Sequence, residues 1–352
     1  MKLRLRQVLT VARLEGRRAF FSKRAWWVYV LAFFPALLYL VNGSHIISMR
    51  ARYVASGITP AAALDSIPEK VTEQEVRARL GKPVEDREWA VRAKPPIRWR
   101  TLVYFDGVRC AYFAFKDGGP GSRRIMPFQS LEDNRSRFAF IFQNFTLRLN
   151  VFFGCLGIFM NLFRGKMLNK TLHFWLLAPV RREVLLVGKY LAGLVAASLI
   201  FTVSTLLSFG LMLWAHQPSE VQVFWQAHGP AHALSYAAAT VLACVGYGSL
   251  FLGAGLLVRN PVIPAVVLLL WESVSGFMPS MLQKVSVLYY VRALCPVQPT
   301  DPKMSALVQL FFSPAAPPSK TLAVGGLLLV TAIVLWLSAR AVRKLEINYS
   351  TD

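Results

Sequence analysis

Few residues in this chain stand at spacings that chemistry would need. His228 and His232 are four apart, as two metal ligands on one helical face would be, but Gly229-Pro230 interrupts a helix between them and no glutamate beside them supplies a base. None of the five histidines has an aspartate five residues later, which argues against a membrane acyltransferase. The nearest approach to a phosphate-cradling G-x-x-x-x-G-K-[ST] loop is Gly165-Lys166, with Met160 where the first glycine belongs and Met167 where the hydroxyl belongs. Four cysteines without a C-x-x-C pair exclude a disulfide scaffold and the usual zinc ribbons, although Cys110 and Cys295 both fall in stretches read as external. Two ionisable residues in apolar surroundings remain. Glu272, between Trp271 and Ser273, is costly at such depth, and Arg148 is its candidate counter-charge. The pair reads either as part of a translocation path or gate, or as a buried structural ion pair.

The elements that must position these groups follow from composition. Of 352 residues, 55% are apolar and only 16% charged, a balance that does not suit a water-soluble domain. Lys and Arg number 40 against 18 acids, a net charge of +22 that points to nucleic acid or a membrane surface, and the apolar excess selects the membrane. Stretches of about 20 apolar residues, the length that crosses about 30 Å of hydrocarbon, run from Ala25 to Val41, Phe138 to Phe163, Val184 to Trp214, Ala231 to Val258, Pro261 to Met281 and Thr321 to Ala339. The reading is an all-α polytopic membrane protein of six transmembrane helices, with a small α+β extracytoplasmic insertion between the first two. Residues 1–24 form a cytoplasmic amphipathic elbow, 25–41 the first span, 42–137 the insertion and 138–352 the remaining spans. No small-x-small cleavage site follows Leu40, so the first span reads as an uncleaved anchor.

Orientation follows from the basic residues of short loops. Lys2, Arg4, Arg6, Arg13, Arg17, Arg18, Lys23 and Arg24 precede the first span. Arg164, Lys166, Lys170, Arg181, Arg182 and Lys189 lie around the second connection, and Arg340, Arg343 and Lys344 follow the last span, whereas residues 217–229 hold none. Both termini are therefore expected in the cytoplasm of a bacterial inner membrane. The elbow, with Leu3, Leu5, Val8, Leu9, Ala12, Leu14 and Phe20 between its arginines, reads as a basic helix lying in the headgroup plane.

The insertion has the character of a soluble module. Thr72 to Leu80, closed by Gly81 and Pro83, reads as a capped helix. Thr101–Phe105 and Ala111–Phe115 read as strands joined at Asp106-Gly107, with a second turn at Asp117-Gly118-Gly119. The order is similar to small α+β periplasmic modules that open "T-x-x-E-V-x-x-x-L-G-x-P". A docking role and a spacer or gate cover both fit it.

The most informative segment joins the second and third spans, Lys170-Thr171-Leu172-His173-Phe174-Trp175-Leu176-Leu177-Ala178-Pro179-Val180-Arg181-Arg182-Glu183, returning to the membrane at Gly188-Lys189. A short amphipathic helix ended by proline, with Trp and Phe outward, suits a groove on a cytoplasmic partner. A generic basic loop would explain the charge but not Thr-Leu, Pro-Val-Arg and Gly-Lys at these spacings. Here the chain resembles the permease subunits of type-2 ABC exporters, whose connection reads "K-T-L-x-x-L-L-x-x-P-[VI]-x-R-x-E-x-L-x-x-G-K". The likeness extends to the elbow, the outward insertion, Gly246–Phe251 leading to Arg259-Asn260-Pro261, and a re-entrant-like stretch from Phe277 to Pro296; it departs at Lys166, where the family commonly carries an acid.

The resemblance implies a coupling helix at about 169–183, with Thr171, Leu172, Phe174, Trp175, Leu176, Pro179, Arg181, Arg182 and Glu183 seated on a separate ATPase subunit. That partner would bind ATP and Mg, while this chain carries no cofactor, metal or catalytic residue of its own. It also implies a second permease copy or a paralogue and export of a hydrophobic or amphipathic substrate. The competing expectation is a membrane anchor or sensor that presents its outward domain without using ATP.

Overall fold

The structure is a computed structural model that describes residues 2–21, 26–91, 97–168, 181–258, 260, 262–275, 278, 280–298 and 318–343, and it is mostly helical. It divides into two units, one of residues 40–134 and 212–220 and one of the rest.

The smaller unit holds the only sheet among the described residues. Strands β1 (Lys70–Val71), β2 (Glu85–Val91), β3 (Ile97–Phe105), β4 (Arg109–Lys116) and β5 (Gly121–Pro127) lie antiparallel in the order β1-β5-β4-β3-β2. The two strands expected from β-branched and aromatic runs are β3 and β4. At their turn the Asp106 carboxylate accepts the backbone N–H groups of Val108 and Arg109 at 2.9 and 2.5 Å, and Gly107 takes φ +98°. The expected helix is Glu73–Leu80, whose Thr72 and Glu75 form a reciprocal capping box. Gly81 ends it at φ +75°, a conformation that costs a side chain, and its carbonyl accepts the buried Tyr104 hydroxyl at 2.9 Å.

Both faces of the sheet are covered. On one side Leu102, Tyr104, Phe113 and Phe115 pack with Leu64, Ile67, Val71 and Val76; on the other Val103, Phe105 and Cys110 pack with Tyr53, Val84 and Phe128. Sequence periodicity did not reveal β2, because Glu85-Asp86-Arg87-Glu88 looks like loop. It is an edge strand, where charge is useful against unwanted pairing, and Asp86 binds Arg77 at 2.6 Å and Arg100 at 2.8 Å. Residues 212–220, read from sequence as the end of a span and a loop, also belong to this unit. His216 meets the Asn134 amide at 3.0 Å, Glu220 accepts the Leu131 N–H at 3.3 Å, and the Gln217 amide donates to the Gly107 carbonyl at 3.3 Å.

In chain order the helices are α1 (Lys2–Phe21), α2 (Trp26–Ser56), α3 (Ala61–Asp65), α4 (Glu73–Leu80), α5 (Leu131–Ile141), a π-helical segment (Phe142–Val151), α6 (Phe152–Leu168), α7 (Arg182–Trp214), α8 (Pro218–Ala227), α9 (Gly229–Leu257), α10 (Val262–Val274), α11 (Ser280–Gln283), α12 (Val287–Arg292) and α13 (Lys320–Arg343). Among the described residues, five helical stretches are long and apolar enough to cross a membrane: Trp26–Ser56, Leu131–Met160, Arg182–Trp214, Gly229–Leu257 and Lys320–Arg343. The fifth of the six expected spans is not a continuous helix. α10 has 13 residues, about 20 Å at 1.5 Å per residue and short of about 30 Å of hydrocarbon. Beyond Ser275 the chain continues into the short helices α11 and α12. Val262, Ile263, Val266, Val267 and Leu270 of this run are exposed, so its apolar character is real and only the helix length departs from the expectation, because hydropathy reports residue type and not where a helix ends. Gly229-Pro230 likewise opens α9 rather than interrupting a helix, with proline in the first turn where its missing N–H costs nothing.

α9 is the centre of the larger unit, packed by α6, α12, α13 and the π segment. Close approach rests on small residues, as it does where helices associate in lipid: the Phe159 ring of α6 lies where a Cβ on either Gly193 or Gly248 would stand, at 2.7 and 2.6 Å. Pro35 interrupts the hydrogen-bond ladder of α2, and Ser204 of α7 donates to the carbonyl of Ala32 there at 2.5 Å.

The Arg100 hydrogen bonds, and then those of Arg77, lower the pKa of Asp86 from 3.8 to about 2. An acid with a depressed folded-state pKa contributes stability that is complete above its ordinary value and is lost as pH falls toward the folded one. Asp86→Asn should weaken amide protection in β2 and β3 at about pH 6, and the difference from the unaltered chain should vanish near about pH 2. Hydrogen exchange on the full chain reads both arms.

Candidate functional site

Of the residues expected to meet an ATPase, Thr171, Leu172, Phe174, Trp175, Leu176 and Pro179 lie outside the described residues. The structure describes the end of that segment and what it is fastened to. Arg181 is exposed, and its carbonyl accepts the Val184 and Leu185 N–H groups as α7 begins. Arg182 donates to the carbonyls of Val342 and Arg343 at 3.4 and 3.1 Å, at the C-terminal end of α13, where a cation also meets the negative end of the helix dipole. Glu183 pairs with Arg343. Both partners of that pair are substantially exposed, so it orients more than it stabilises.

One turn further, Gly188 and Lys189 hold two more helices. A Cβ on Gly188 would stand 2.8 Å from Val11 and 3.1 Å from the Val8 carbonyl, so the glycine lets α1 lie against α7. The Lys189 side chain is fully buried, donates to the Leu162 carbonyl of α6 and stands 3.9 Å from the Glu15 carboxylate of α1, itself 2% exposed. Four helices, α1, α6, α7 and α13, thus meet within eight residues of the chain, Arg182 to Lys189.

The sequence signal for this clamp was present and unused. Glu15 is the one acid in a segment crowded with arginine, and it shares with Val8 and Val11 a helical face. The elbow turns that face inward and leaves Leu9 and Leu14 exposed.

A second cluster lies on the π segment. Its buried residues come in pairs four apart, Phe142-Gln143, Thr146-Leu147 and Asn150-Val151, so the wider turn keeps one polar-apolar stripe against α9 and α12. Long π segments are rare and concentrate at functional sites. Gln143 donates to the Val297 carbonyl at 3.3 Å, whereas neither end of the fully buried Asn150 amide has a partner among the described residues. Glu272 of α10 accepts the Ser286 hydroxyl at 2.5 Å and the N–H groups of Val287 and Leu288 at 2.9 and 3.4 Å. Its carboxylate therefore caps α12. Arg148 does not ion-pair with it; Arg148, Arg292, Glu272 and the Tyr247 hydroxyl are neighbours within electrostatic reach. The path-or-gate residues expected from sequence thus share one neighbourhood, joined by Arg292 and Tyr247, which sequence reasoning had not singled out.

Cys110 and Cys295 are buried free thiols. Burial pushes the Cys110 thiol up to about 11, so it is inert as a nucleophile at neutral pH.

Several helices of membrane-crossing length define a multi-pass membrane protein. The model of the family described as "ABC-2 family transporter protein" matches residues 9–344, and the chain belongs to that family. The permease resemblance read from the Lys170–Lys189 motif is borne out. Members supply the membrane component of a transporter and are not themselves enzymes. A comparison with curated proteins returned no match.

Lys189→Met would remove the ammonium and leave Glu15 buried without it, at a cost of about 3 kcal/mol or more. Denaturant unfolding in detergent should show this loss together with faster proteolysis of α1. Glu272→Gln should cost about 1–3 kcal/mol by weakening the cap of α12, with exchange rising first at Val287 and Leu288.

Proposed function

We propose that this chain is the permease subunit of an ABC exporter, driven by a separate ATPase that binds ATP and Mg, with residues 169–183 seated on that partner. The observation that carries the reading is the clamp at the end of that segment. A displacement of the docking helix has no slack to be lost in, because Arg182 and Glu183 are tied to α13 and Gly188-Lys189 to α1 and α6. Such rigid connections convert a push at one surface into movement of whole helices, which is what alternating access requires. Thr171, Leu172, Phe174, Trp175, Leu176, Pro179 and Arg181 would form the contact itself. Arg182 and Glu183 would position it, since their side chains already hold α13.

The basic residues of the elbow and the second connection support termini in the cytoplasm of a bacterial inner membrane. The sheet-bearing unit would then be outside, as an insertion after the first span. α10 with α11 and α12 would form the re-entrant-like element implied by the resemblance, in place of a full sixth crossing. A second copy or a paralogue would complete the transport path, and Glu272 and Arg148 would line or support it.

Co-expression with a Walker-A ATPase of an ABC transporter tests the reading. The ATPase should co-purify with the unaltered chain, and Trp175→Ala with Arg181→Ala should reduce its recovery about tenfold or more, as expected where a central aromatic and an arginine anchor an interface. Normal folding of the variant, judged by its elution profile, is required. Recovery unaffected by the two substitutions would rule out the docking assignment, and no bound ATPase at all would favour the anchor or sensor.

A further inference from the structure

In the buried polar cluster the cations, not the carboxylate, lack partners. Both oxygens of Glu272 are engaged by Ser286 and the start of α12. Arg148 and Arg292 make no ion pair among the described residues, and the Nε of Arg292 is buried without a hydrogen bond. The Tyr247 hydroxyl, fully buried and also unpartnered among the described residues, stands within reach of both. Asn150, among the buried residues of the π segment that packs on α9 and α12, has an amide with neither end partnered among the described residues, and Phe152 lies 5.3 Å from the Tyr247 ring. Phe152 packs in turn on Phe251 at 4.9 Å, so the surroundings are apolar.

Two half-buried guanidinium groups held near one another repel, and the buried Arg292 Nε, left without an acceptor, costs free energy. One anion with several acceptor oxygens would answer the two cations, the hydroxyl and the amide N–H together. We propose that Arg148, Arg292, Tyr247 and Asn150 form a binding site for the anionic head of an amphipathic molecule, of the phosphate or sulfate type. The π segment would serve this site, since it brings Arg148 and Asn150 to the same neighbourhood as α9 and α12. Glu272 is then a positioning residue that fixes α12, and with it Arg292. The assignment rests on the exporter reading only in making this amphipath the cargo.

Dodecyl phosphate, titrated into the purified full chain in uncharged maltoside micelles, tests the site. A single saturable event is expected, with Arg148→Gln and Arg292→Gln each weakening it about tenfold or more, and Tyr247→Phe and Asn150→Leu by a smaller factor. Arg340→Gln, which removes a positive charge elsewhere, should leave it unchanged. Competition by inorganic phosphate at similar concentration would assign the site to the anionic head alone, and none would assign it to head and chain together. Both outcomes keep the anionic site. Affinity unchanged in the two arginine variants would overturn it, as would the absence of saturation. Should the arginine variants not fold, unchanged affinity in both Tyr247→Phe and Asn150→Leu would overturn it equally. Binding with no ATPase partner would remove the exporter reading and keep the site; an ATPase partner with no binding would do the reverse.

Discussion

An ammonium group with no water beside it must find its partners inside the protein, and α1, α6 and α7 of the larger unit meet at one such group. Lys189 reaches the Leu162 carbonyl of α6 and lies beside Glu15 of α1. Desolvating that pair costs several kcal/mol per ion, so the arrangement persists only where the geometry is held on every side. Gly188 holds it by letting α1 close on α7, and Arg182 with Glu183 by joining the preceding turn to α13. The clamp is a better specifier of which helices meet than a source of net stability.

The same constraint is met differently in the polar cluster. Glu272 is neutralised not by a cation but by backbone N–H groups and a hydroxyl, which a helix start offers in fixed directions. That leaves Arg148 and Arg292 to one another's neighbourhood with donors uncommitted. The contrast between a saturated carboxylate and unsaturated cations gives the cluster its chemical sign.

The sheet-bearing unit follows the rules of soluble proteins. Its edge strand β2 carries Asp86 paired with Arg77 and Arg100, its turns use Asp-Gly where positive φ is needed, and its interior is aromatic and aliphatic on both faces. Its electrostatics accordingly titrate in the ordinary way, through Asp86, and its cysteine is silent.

Local signals settled a large share of this protein. The capping box at Thr72, the turns at Asp106-Gly107 and Asp117-Gly118, the strands β3 and β4 and the long apolar helices were legible because each is decided by residues adjacent in the chain. The Lys170–Lys189 motif was legible as a family resemblance for the same reason. The tertiary structure alone decided the rest. It showed that the helix after Pro261 ends at Val274, because hydropathy reports residue type and not helix length. It paired Asp86 with Arg77 and Arg100, gave Lys189 to Glu15 across more than 170 residues, and committed Glu272 to the start of α12 instead of to Arg148. A buried charge is easy to find in a sequence. Its partner is not, because desolvation demands only that some partner be near in space and says nothing of where in the chain it lies.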